Sequence, residues 1–183
     1  MSAEYSESLN LIWRIAELHA RKQNSEKVEP YHLFLALTKC VDLDLTTLVP
    51  KDVATHDEVL EELLREIRRI RLVFESVNFD AKKFRRNLRH TIPKNRTAWC
   101  DSFLHRSASS KLIFKNAEKV ASITKGATYP IHLLWSILQE SCSYSDSVMI
   151  EISFKKEKLL KILNNQILTR SISFKYTRLN GEN

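Results

Sequence analysis

Glycine is nearly absent from this 183-residue chain, with only Gly126 and Gly181, and proline is confined to Pro30, Pro50, Pro93 and Pro130. A fold of many short strands needs the tight turns these residues supply, so their scarcity favours helices. No apolar run is long enough to cross a bilayer, and the N-terminus has no basic stretch followed by an apolar core and a small-residue cleavage site. A cytoplasmic chain with no membrane association is therefore expected. Cysteine is sparse too. Cys40, Cys100 and Cys142 form no CxxC pair, and reduced, partly buried thiols are expected of them.

Catalytic signatures are also missing. There is no GxxxxGKS or GxxxxGKT loop to cradle a nucleotide phosphate, no HExxH helix for zinc and no GxSxG elbow for a nucleophilic serine. The serines near Cys100 and His105 lie in a polar stretch with no pattern that sets a base against a nucleophile. The expectation is a chain that is not an enzyme, with no cofactor and no metal.

What is present is an internal repeat. Leu11-Ile12-Trp13-Arg14-Ile15-Ala16-Glu17 aligns with Leu112-Ile113-Phe114-Lys115-Asn116-Ala117-Glu118 at an offset of 101, and Pro30-Tyr31-His32-Leu33-Phe34 aligns with Pro130-Ile131-His132-Leu133-Leu134 at an offset of 100. Val77-Asn78-Phe79, Lys83-Phe84 and Leu88 then match Ile152-Ser153-Phe154, Lys158-Leu159 and Leu163 at an offset of 75. The first copy thus carries about 25 additional residues between Leu37 and Val77.

Each copy reads as a long helix, a short linker, a helix opened by proline and a shorter helical pair. Leu9, Ile12, Ala16 and Ala20 fall on one helical face, as do Ile113, Ala117, Val120 and Ala121 in the second copy. Pro30 and Pro130 suit a first helical turn, where the missing N–H costs nothing. In the additional segment, Thr55 and Glu58 form a capping box ahead of Leu60, Leu63, Leu64, Ile67, Ile70 and Phe74, which predicts an amphipathic helix. The fold class expected is all-α: two pseudo-symmetric repeats of about four helices each, with an extra amphipathic helix inserted in the first. The boundaries expected are 1–92 for the first repeat (insert about 41–72), 93–107 for a linker, 108–170 for the second repeat and 171–183 for a polar tether.

Two tandem units, each with an alanine-bearing first helix, a Pro-x-His-Leu opening to the second and a closing Lys-Phe or Lys-Leu helix, resemble the Clp amino-terminal repeat domain. The resemblance spans nearly the whole chain apart from the insert and the last dozen residues. It implies a pseudo-twofold domain at the head of a Clp-class AAA+ unfoldase, recruiting unfolded or tagged substrates or their adaptors. Its partners would be those proteins and the AAA+ ring modules of a parent chain. In some members, glutamates between the proline and the histidine clamp a phosphorylated arginine. Tyr31 and Ile131 stand there in this chain, so recognition of that tag is not expected, since neither can pair bidentately with a guanidinium.

The binding groove implied lies at the openings of the two second helices, around Tyr31, His32, Ile131 and His132. The two histidines recur at one helical position, which argues for packing and capping rather than metal. Trp13 and Trp135 are expected in the core, whereas Trp99, between the copies, is a candidate partner anchor. The net charge of +7 and the pI near 9.4 are concentrated mid-chain, in a basic surface of Arg65, Arg68, Arg69, Lys82, Lys83, Arg85, Arg86 and Arg89. That stripe leaves a nucleic-acid-binding module open as an alternative. A free-standing accessory subunit docking on a Clp protease ring is the other.

Overall fold

Two helices have almost no polar side, and the architecture follows from where they must go. Helix α2 (Pro30–Cys40) and helix α6 (Pro130–Gln139) bury nearly every side chain, so they occupy the centre. The computed structural model describes residues 4–47, 56–92, 104–123 and 126–179, with backbone alone for 47, 56 and 168–179. Helix α1 (Glu7–Lys22) packs on α2, and α5 (Ala108–Ile123) packs on α6. The first copy continues with α3 (His56–Ser76) and α4 (Ala81–Thr91), the second with α7 (Ser143–Glu151) and α8 (Lys156–Leu179).

Four helices thus fall to each copy among the described residues. The amphipathic helix expected from Leu60 to Phe74 is α3, and it occupies the place that α7 holds in the second copy. The surplus of the first copy lengthens this helix, 21 residues against nine, together with the connection before it, which holds a short 3-10 turn at Leu45–Thr47. Thr55 of the expected capping box lies outside the described residues. Helix α8 runs as helical backbone to Leu179, past residue 170 where the sequence placed the start of a tether.

The copies interleave about a pseudo-twofold axis. α3 packs on α6 as α7 packs on α2; α4 meets α7 as α8 meets α3; α2 meets α5 as α6 meets α1. Phe79 and Phe154, equivalent in the repeat, meet each other edge to face with ring centroids 4.9 Å apart. A residue touching its own counterpart is what a twofold axis produces.

The segments leading into the helices also pair across the copies. Strand β1 (Lys27–Val28) runs parallel to β2 (His105–Arg106), and Tyr5 bridges Thr128 in the same sense. The Ser107 N–H donates to Val28 O at 3.1 Å, and the Ser6 N–H donates to Thr128 O at 3.2 Å. Ser6 then caps α1 by accepting from the Leu9 N–H, as Ser107 does for α5 from the Ser110 N–H. Where Tyr5 and Arg106 enter this seam, the Arg106 guanidinium lies 3.7 Å from the ring centroid of Phe114 and 5.1 Å from that of Trp13.

Candidate functional site

The recurring histidines are helix caps. His32 is the third residue of α2, and its Nδ1 accepts the backbone N–H of Glu29 at 2.9 Å. His132 holds the same place in α6 and accepts the N–H of Tyr129 at 3.2 Å. Each thus performs the reach-back that glutamate or glutamine makes in a capping box. Accepting at Nδ1 places the His32 proton on Nε2, which donates to Gln23 Oε1 at 2.8 Å. Burial first, and the neighbouring His19 second, push its pKa down to about 3, so the ring stays neutral.

The groove expected at these residues is not formed by them. His32, Ile131 and His132 are between 0% and 2% exposed, because the opening turns of α2 and α6 face the molecular centre. Only Tyr31 is partly exposed, edge to face with Tyr144 at 5.4 Å. Burial raises its hydroxyl pKa to about 12, aided by the negative charge of Glu29.

A different concavity lies between the end of α1 and the outer face of α4. Asp80 caps α4 by accepting the Lys83 N–H at 2.8 Å, and Phe84 and Leu88 anchor the helix in the core. Helical spacing then carries Lys82, Arg86 and Arg89 to the solvent side. There they share with His19, Lys22, Gln23, His90 and Ile92 the lining of a cleft of about 930 Å³. Arg85 lines the same cleft, but it is buried, and its guanidinium donates to Thr38 O and to Asp42, sealing the C-terminal carbonyls of α2.

The basic residues of α3 serve another place. Arg65 and Arg69 line a small cleft of about 120 Å³ with Glu66, Tyr129, Pro130 and Ile131, and Arg69 donates to Gln166 Oε1 at 3.2 Å. Glu66 is buried, and one of its oxygens accepts from Ser6, at 2.9 Å, and from Ser8. Burial, the larger influence, raises its pKa. Arg68 and Lys83 are exposed and line neither cleft. The stripe seen in the sequence is therefore divided between two clefts and the open surface, with Arg85 held by Asp42 on the floor of one of them.

No family model matches the sequence, and no curated protein matches it. Solved structures do. A chain from structural work on a malarial protein secretion system superposes with a TM-score of 0.62 at 17% identity, covering 90% of this chain and 95% of that one. The N-terminal domain of Hsp104 from Candida albicans superposes at 0.59 with 14% identity, over 94% and 91% of the two chains. The N-terminal domain of the caseinolytic protease associated chaperone ClpD from Arabidopsis thaliana does so at 0.53 with 13% identity, over 91% and 97%. The fold is that of a Clp-type amino-terminal domain.

Trp99 and Cys100 lie outside the described residues. Cys40 and Cys142 are free and buried, and burial raises the Cys40 thiol to about 12. Trp13 and Trp135 are partly buried against the core, with Trp135 Nε1 donating to Asn164 Oδ1 at 2.7 Å. No group of three or more metal-ligating side chains occurs among the described residues, and no helix there is long and apolar enough to cross a membrane. His19 and Lys22 were missed as partners of the α4 cations. They stand sixty residues or more from them, and only the fold, which sets both on one cleft, joins the two.

Proposed function

We propose that this chain is a non-catalytic protein-binding domain that recruits substrates or adaptors to a Clp-class AAA+ unfoldase. The observation that carries the reading is the likeness in fold to the N-terminal domains of Hsp104 and ClpD, which extends over at least 91% of this chain and includes both repeats. The sequence supports it by offering no phosphate loop of its own, so ATP-driven work belongs to another module. Affinity of a single domain would be modest, and a ring of such domains would raise it through avidity.

Fluorescence anisotropy with a labelled, permanently disordered protein at physiological salt tests this. Saturable binding is the expected outcome. Absence of binding to any disordered protein, with the fold intact by circular dichroism, would reject the reading.

A further inference from the structure

We infer that the cleft between the end of α1 and the outer face of α4 is a docking site for an extended, carboxylate-rich peptide segment. The inference rests on the protein-binding reading above and specifies the chemistry of the partner. Lys22, Lys82, Arg86 and Arg89 line the cleft and are exposed, while among the described residues no carboxylate lines it. Among the described residues none of these four is held in an ion pair. Arg85, by contrast, is occupied by Asp42 and Thr38, so it shapes the floor and leaves the other four cations to a ligand.

The crowding of like charge is felt inside the cleft. His19 has its pKa pushed down to about 4, by burial first and then by the positive charges of Arg89 and Lys22. Carboxylates entering the cleft would relieve that repulsion, and charge complementarity of this kind steers encounter and fixes register. A nucleic acid would meet the same cations, but among the described residues no Phe, Tyr or Trp lines the cleft to stack a base. Its volume of about 930 Å³ suits a few residues of extended chain.

The test is anisotropy with fluorescein-labelled oligoglutamate, with oligolysine, oligoglutamine and duplex DNA alongside, and with the disordered protein used above as a separate arm. Lys22→Glu with Arg86→Glu is compared with Lys119→Glu plus Lys161→Glu, an equal change of charge at exposed positions outside the cleft. The expected result is saturable oligoglutamate binding that falls about tenfold or more in the cleft variant and less than about twofold in the control. Should the charge reversals disturb folding by circular dichroism, Lys22→Ala with Arg86→Ala gives the same readout. No oligoglutamate binding, or equal loss in both variants, overturns the inference; if the disordered protein still binds, the protein-binding reading stands without it. Tighter binding of duplex DNA through the same residues overturns the inference in favour of nucleic acid.

Discussion

His32 ties the stability of the domain to pH. Its folded pKa of about 3 lies below the unfolded value of 6.5, so between these limits the unfolded chain takes up a proton that the folded chain refuses. The stability this linkage provides is complete above about pH 6.5 and is lost as the pH falls toward 3, by up to about 1.4 kcal/mol per pH unit for one such group. His19, pushed down to about 4, acts in the same direction. Urea midpoints should therefore drop between neutral pH and about pH 5. His32→Gln keeps an acceptor at the third helical position and removes the titration, so its midpoint should vary less across that range. An unchanged pH slope would mean that His32 takes up its proton as readily in the fold as in the unfolded chain, against the cap geometry.

At the scale of elements, helix ends carry most of the repeat. Asn78 after α3 and Ser153 after α7 both adopt left-handed backbone, φ 55° and 58°, and each is followed by a 2.8 Å bond from a phenylalanine N–H, Phe79 to Phe74 O and Phe154 to Met149 O. These are paired helix stops at one repeat position, and a left-handed residue with a side chain is strained there by about 1–2 kcal/mol. Ser153→Gly should raise stability by about 1 kcal/mol, read as a gain of about 3 °C in the unfolding midpoint. The match of Val77-Asn78-Phe79 with Ile152-Ser153-Phe154 was visible in the sequence, as were Pro30 and Pro130 at their helix starts and the buried stripe of α1. The seam strands were not, because Lys27-Val28 and His105-Arg106 are too short to show a period and are paired only by the packing of the two copies. The basic cleft escaped for a related reason. Charge can be counted along α4, but which cations stay free depends on Asp42 claiming Arg85 and on α1 bringing up Lys22. The openings of α2 and α6 misled in the opposite way, since nothing in Pro-Tyr-His-Leu or Pro-Ile-His-Leu reveals that both turns face inward.

Across the whole molecule, one buried cluster draws side chains from both copies, with Phe34, Phe79 and Phe84 of the first in the same core as Leu133, Val148 and Leu163 of the second. The two repeats should unfold together. Circular dichroism and tryptophan fluorescence are expected to give coincident denaturation curves, with Phe84→Ala lowering both by about 3–5 kcal/mol. Separate transitions would show that the copies are independent domains. The seam strands add a constraint on order. Val28 O accepts from the Ser107 N–H and from Ser110 Oγ, and Tyr5 donates to Glu118, so the first copy completes its hydrogen bonds with residues made long after it. During translation it leaves the ribosome with a carbonyl edge unpaired and the inner face of α2 uncovered, and stays so for the seconds that the second copy takes to follow. While it is being made, this chain presents the kind of bare apolar surface that molecular chaperones hold.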